Sequence, residues 1–163
     1  MRMQHSMVRV AAFSAAVVCL LSTSQGAAQP HPEVHVLGIE REHMPLIERS
    51  QRALLDFRLN EAEGLLQNIL REDDRAPYAY ALYSSIAFWR AMVEDVQPSY
   101  DRFYARSDSL LDRLESVERT KWKRLIRAEA YLQRAIVLGK TEHFFSAAWA
   151  GRKVYHAYTS LVE

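Results

Sequence analysis

The histidines and acids near the N-terminus are the first residues whose types and spacing could do chemistry. His31, Glu33 and His35 follow one another at intervals of two, and imidazole with carboxylate groups can hold a transition metal ion. Cleavage before Gln29 would put His31 third in the chain, where histidine binds copper or nickel together with backbone nitrogens. Pro30 has no amide proton and removes one of those ligands. A flexible polar tail explains the same residues, so we expect no metal site here.

A second candidate for metal chemistry is the E-x-x-H pair formed by Glu40 and His43. A di-iron helical bundle needs two such pairs together with further glutamates from other helices. The chain has no second copy, and His143 and His156 have no matched partners. The sequence therefore does not predict a di-iron centre.

Nucleophilic catalysis and phosphate binding have no support in the sequence. There is no G-x-S-x-G, no Gly-rich phosphate loop, and the single cysteine, Cys19, lies in an N-terminal apolar run. We therefore expect no catalytic residue, no cofactor and no enzymatic activity. The 163 residues carry 21 basic and 20 acidic side chains, a near-neutral balance that does not favour nucleic-acid binding.

One carboxylate, Glu129, falls in the middle of an apolar helical face. That face has a helical period of about 100° per residue, and its members are Trp122, Leu125, Ile126, Leu132 and Ile136. A buried carboxylate needs a partner, or its pKa rises until it is neutral. Two interpretations follow: Glu129 contacts a ligand, or it forms an ion pair or hydrogen bond with a neighbouring helix.

The elements that must position these residues are helices. Apolar residues recur at intervals of three and four almost to the last residue. They predict six helices. Five run over about 43–57, 60–72, 77–94, 120–138 and 142–161, and the fourth in chain order starts near Pro98. Asn60 with Glu63 has the spacing of a capping box, and Gly139 is a C-cap signal. Because the connections are short, neighbouring helices must be antiparallel, which gives three hairpins and an all-α fold.

The N-terminus has the pattern of a secretory signal peptide. Arg2 and Arg9 make the first residues positively charged, and a short apolar run over 10–21 follows. Gly26 and Ala28 are small residues at the −3 and −1 positions of a cleavage site. The predicted organisation is a signal peptide over 1–28, an extended lead-in over 29–42 and a helical domain over 43–163. We expect an exported protein, periplasmic or secreted, with no stable membrane span after cleavage.

The second predicted helix resembles the second half of a tetratricopeptide repeat. Ala62, Leu66 and Ile69 match its small, large and apolar positions, Asp74 stands at the usual proline position, and the proline comes later, at Pro77. The stretch 43–161 as a whole is similar to a degenerate form of this family in the bacterial envelope. The resemblance implies three hairpins stacked as a short right-handed solenoid, and a binding scaffold rather than an enzyme.

In a stack of this kind the odd helices line the concave surface. The faces of the odd helices that point away from their apolar stripes carry a row of arginines and tyrosines: Arg49, Arg52, Tyr80, Tyr83, Arg90, Arg124, Arg127, Tyr131 and Arg134. Arg and Tyr often anchor interfaces, and Arg suits carboxylates. The leading prediction is a scaffold that binds a protein or peptide, and an acidic partner is one that the arginines would suit. The alternative is a small helical bundle with a buried polar site around Glu129 that binds a small molecule or has an unrecognised activity.

The last predicted helix is apolar on more than one side. Phe145, Trp149 and Ala150 lie off its main stripe, and repeat stacks need a polar outer face on their terminal unit. Three explanations stay open at this point. The chain is part of a longer solenoid, it self-associates through the helix 142–161, or Trp149 folds back onto the fourth helix.

Overall fold

Apolar residues at intervals of three and four form six helices in the computed structural model. The structure describes residues 43–72, 76–118 and 120–162, all within one compact unit, Pro32–Glu163. The helices are α1 (Met44–Leu55), α2 (Leu59–Glu72), α3 (Pro77–Glu94), α4 (Gln97–Ser116), α5 (Lys121–Lys140) and α6 (Phe144–Val162). Because no strand occurs among the described residues, the predicted all-α class is confirmed there. The predicted signal peptide and lead-in lie outside the described residues.

The first hairpin shows why α2 combines a small residue with large ones. Ala62, Leu66 and Ile69 are completely buried, and the Ser50 hydroxyl of α1 donates to the backbone carbonyl of Ala62 at 3.0 Å. A larger residue at position 62 would keep the two helices too far apart for this hydrogen bond. The expected close approach of α1 and α2 is confirmed.

Two predicted helix ends are wrong. Asn60 lies inside α2, which begins at Leu59, so Asn60 is not its N-cap. Gly139 lies inside α5, whose C-cap is Thr141. Both predictions used local residue preferences, and each observed end lies within two residues of the predicted one, the usual uncertainty of a helix end.

The turn inside each hairpin contains a residue in the left-handed region. These residues are Phe57, Asp95 and Glu142, with φ of 57°, 53° and 63°. Each lies two residues before the start of the following even helix, so the three hairpins share a turn geometry without a glycine at that position. Phe57, the last residue of the first predicted helix, lies beyond the end of α1 and is 54% exposed.

The core is organised around α3, which packs against α1, α2, α4 and α5. Phe88 of α3 contacts Phe103 of α4 edge to face at 5.8 Å between ring centroids, and both rings are buried beside Val137 of α5. Beyond the hairpins, α2 packs on α3 and α4 packs on α5, while the odd helices contact in the order α1, α3, α5. Because α3 is enclosed by four helices, its polar side chains must find partners on those neighbours.

Candidate functional site

The structure divides the predicted arginine and tyrosine row into separate groups. Arg49 and Arg52 of α1 are exposed, and the other members are half-buried. Those other members contact groups of the even helices: side chains in every case but Arg124, which contacts the backbone carbonyl of Ser160. Two clusters result, one on each side of α4.

The first cluster lies among α2, α3 and α4. Its members are Tyr80, Tyr83 and Arg90 of α3, Glu63 of α2, and Arg106 and Arg113 of α4. The Arg106 guanidinium lies 3.6 Å from the ring centroid of Tyr83. The Arg113 guanidinium lies 3.9 Å from that of Tyr80. Both tyrosines are therefore covered by cations of α4.

Glu63 joins three helices at the centre of the first cluster. Its carboxylate accepts a hydrogen bond from Arg90 at 3.0 Å and another from Arg106. Burial alone would raise the pKa of Glu63, but the hydrogen bond and charge of Arg106, with those of Arg90, outweigh it and lower the pKa. Arg90 also donates to the Asn60 side chain at 2.8 Å. Asn60, predicted as a helix cap, therefore accepts a hydrogen bond from α3 instead.

The second cluster lies among α4, α5 and α6. Its members are Arg124, Arg127, Tyr131 and Arg134 of α5, Asp108 and Glu115 of α4, and Lys153 of α6. Arg134 pairs with Asp108 at 2.5 Å and Arg127 pairs with Glu115. The Lys153 ammonium lies 4.7 Å from the Tyr131 ring centroid, and Arg124 donates to the backbone carbonyl of Ser160. This cluster brings together four basic and two acidic side chains.

The sides of α3 and α5 that face away from the two clusters explain why the predicted row is divided. Gln133 of α5 donates to the Ser85 hydroxyl of α3 at 3.0 Å, and Gln51 of α1 donates to the Tyr78 hydroxyl of α3. Burial raises the pKa of Tyr78 to about 12. The odd helices thus meet through these polar contacts, while the clustered residues lie on the far sides, against the even helices.

Glu129 belongs to the polar contacts between the odd helices. It is half-buried and accepts from Gln133 at 3.1 Å, and Gln133 in turn reaches Ser85. Tyr158 of α6 is close enough to respond to this carboxylate: burial first, and then the charge of Glu129, raise the pKa of Tyr158. Gln133 therefore links the Glu129 carboxylate of α5 to the Ser85 hydroxyl of α3.

The residues that the sequence offered as metal ligands do not belong to either cluster. His43 Nε2 lies 3.1 Å from the Glu72 carboxylate of α2, while Glu40, His31, Glu33 and His35 lie outside the described residues. Within the described ranges, no group of three or more His, Cys, Asp or Glu side chains could hold a metal ion. No helix in this part of the chain is both long and apolar enough to cross a membrane.

Sequence reasoning missed the central residues of the first cluster. The sequence predicts Glu63 only as part of a capping box, and it gives no signal for Arg106 or Arg113. Arg106 lies 43 residues from Glu63 along the chain, so no local spacing predicts their contact. The one available signal was the presence of two tyrosines on an otherwise polar face of α3, which require covering groups.

No protein-family model, no curated protein and no solved structure matches the chain.

Proposed function

We propose that the protein is an exported, non-enzymatic scaffold that binds an acidic protein or peptide segment through the second cluster. The observation that carries the proposal is the exposure of the acids that pair with the cluster's arginines. The side chains of Glu115 and Asp108 are 68% and 60% exposed, whereas those of Arg127 and Arg134 are 32% and 20% exposed. The arginines are thus held in place while their acidic partners remain accessible to solvent.

Exposed ion pairs of this kind are easily exchanged. A pair with a largely exposed acid contributes about 0–1 kcal/mol, so a carboxylate of a partner can replace Glu115 or Asp108 at little cost. Arg127 and Arg134 are seven residues apart on α5 and therefore lie on the same side of the helix. Two carboxylates of an extended or helical segment could pair with them at once, and Tyr131 lies between them on the same side.

The arrangement of the hairpins supports a scaffold. Consecutive odd helices contact each other, α2 packs on α3, and α4 packs on α5, which is the order of contacts expected in a tetratricopeptide-like stack. In our proposal the stack is a short right-handed solenoid, as the resemblance implies. The acidic segment would bind between α4 and α6, on the sides of the even helices, in contrast to the concave odd-helix face that the sequence suggested.

A defined peptide tests the binding. We expect a fluorescein-labelled peptide rich in glutamate to bind the chain, and a peptide with glutamine at each glutamate to bind at least tenfold more weakly. The double variant Arg127→Glu/Arg134→Glu should lose at least tenfold in affinity for the first peptide. Arg71→Glu is the control for a single charge reversal and is compared with Arg127→Glu alone, because Arg71 is exposed on α2 and outside both clusters. Fluorescence anisotropy measures the affinities, and circular dichroism checks folding.

Two outcomes would contradict the proposal. One is equal binding of the glutamate and glutamine peptides, which would remove the role of charge. The other is an equal loss of affinity in Arg71→Glu and Arg127→Glu, which would indicate a response to net charge rather than to the second cluster. A pull-down from an envelope extract with wild type and the double variant then identifies the natural partner by its loss from the variant.

A further inference from the structure

The outer face of α6 is the most exposed apolar surface in the described part of the chain. One face of α6 packs on α5, with Ala150 buried. The opposite face carries Phe145 at 96% exposure and Trp149 at 61%. Phe144 and Tyr155, each 67% exposed, lie beside this face. A contiguous aromatic surface of this kind usually marks an interaction site.

Four residues form a strip along the middle of that face: Phe145, Trp149, Arg152 and His156. Their spacings of four, three and four residues keep them in one row, and all four are exposed. The aromatic pair lies in the N-terminal half of the strip, and the basic pair lies in the C-terminal half. Arg152 already lies between its neighbours: its guanidinium is 5.9 Å from the Trp149 ring centroid, and its Nε is 3.4 Å from His156 Nε2.

Because the aromatic and basic pairs lie in opposite halves of the strip, two copies of the strip are complementary when they run antiparallel. If a second α6 lies antiparallel, with Trp149 opposite Arg152 of the second copy, then Phe145 lies opposite His156 of that copy. Two-fold symmetry repeats both contacts, so each Trp149 ring meets the Arg152 guanidinium of the other copy and each Phe145 ring meets the imidazole of His156. The two Trp149–Arg152 contacts are cation–π contacts, which contribute about 0.5–2 kcal/mol each. A parallel arrangement would instead place Arg152 against Arg152, and α6 contains no acidic residue to neutralise that pair.

We propose that a second copy of this chain covers the outer face of α6, in an antiparallel two-fold dimer centred between Trp149 and Arg152. Such an interface is isologous, the commonest form among homodimers. A helix of 19 residues is about 28 Å long, so one of its faces offers a small interface by the standards of stable complexes. We therefore expect a reversible dimer that dissociates on dilution.

The substitution Trp149→Lys tests the dimer. It removes an aromatic ring and places a lysine opposite Arg152 of the second copy, so sedimentation should show a monomer where wild type is dimeric. Leu55→Lys is the matched control, since Leu55 of α1 is a 51% exposed apolar residue elsewhere, and this variant should associate like wild type. A wild-type monomer across a hundredfold range of concentration up to the millimolar level, or a dimer in Trp149→Lys, would overturn the proposal.

A second variant tests the antiparallel register. Adding Arg152→Glu to Trp149→Lys places a glutamate opposite the new lysine in each of the two symmetric contacts. We expect this double variant to associate at least tenfold more tightly than Trp149→Lys at low salt. Failure to recover any association would contradict the register. Circular dichroism of each variant separates a change of association from a loss of helix.

The main alternative to a second copy is an anionic membrane surface, which aromatic and basic residues together also suit. Vesicles of anionic phospholipid distinguish the two. If α6 bound such a surface, Trp149→Lys would retain adsorption through its added charge and wild type would sediment as a monomer without lipid. That pair of results would overturn the dimer. A dimer lost in Trp149→Lys, with no vesicle binding by either protein, would support it.

Discussion

The first and second clusters both combine arginines with tyrosine and carboxylate side chains on the two sides of α4, yet they neutralise their arginines differently. In the first, the Glu63 side chain is 17% exposed and is shared by Arg90 and Arg106, which are 14% and 13% exposed. In the second, each acid is at least 60% exposed and serves one arginine. Burial therefore makes the first cluster a connection among three helices, whereas exposure leaves the second able to exchange its acids for those of a partner.

The largest effect that would sharpen this comparison is expected for Glu63→Gln. The change leaves Arg90 and Arg106 half-buried without their shared carboxylate. Breaking a fully buried pair costs about 3–5 kcal/mol, and partial exposure reduces the expected loss in free energy of unfolding to about 2 kcal/mol. Urea denaturation at pH 7 measures it. Glu115→Gln in the second cluster is the control and should change stability by less than about 0.5 kcal/mol; equal losses in the two variants would end the distinction.

The same carboxylate predicts a dependence of stability on pH. The pKa of Glu63 is lowered in the folded protein, from a reference value of 4.5, so the unfolded state binds the proton more readily. Its contribution is present above pH 4.5 and is lost as the pH falls through the lower folded pKa. Urea midpoints measured between pH 7 and pH 3 should therefore fall less steeply below pH 4.5 in Glu63→Gln than in wild type. Parallel curves would show that Glu63 is not stabilised in its charged form.

The smallest effect is expected when the second cluster loses its own acids. In Asp108→Gln/Glu115→Gln, Arg127 and Arg134 no longer have intramolecular carboxylates that compete with a ligand. Because each exposed pair contributes about 0–1 kcal/mol, affinity for the glutamate peptide should rise by about two- to fivefold while stability stays nearly unchanged. Fluorescence anisotropy measures this affinity. A fall in affinity would indicate that Asp108 and Glu115 position the arginines rather than compete for them.

The sequence predicted the helices well because their signal is local. The third helix begins at Pro77 and ends at Glu94 as predicted, and the buried residues of α2 are the three whose spacing indicated a contact. Hydrophobic period and proline position act within a few residues, so they are readable without the fold. The ends predicted from Asn60 and Gly139 differ from the observed ones by no more than two residues, the usual uncertainty of a helix end.

The site could be predicted only in part. Spacing correctly grouped Arg127, Tyr131 and Arg134 on one side of α5, since that grouping follows from helical geometry alone. It could not show that Arg127 and Arg134 meet acids of α4, nor that α3 is enclosed by four helices. Its tyrosines therefore looked like a free polar face although α4 covers them.

By itself, the sequence determined the all-α class, the number and approximate bounds of the helices in the described part, and the side of each helix on which a residue lies. The tertiary structure alone decided which sides face one another, and thus that Glu63 is shared by two arginines while Glu115 and Asp108 remain exposed. The physical reason is range. Helix formation depends on neighbours within about one turn, whereas the burial and charge of a side chain are set by partners from distant parts of the chain, brought together only when the hairpins pack.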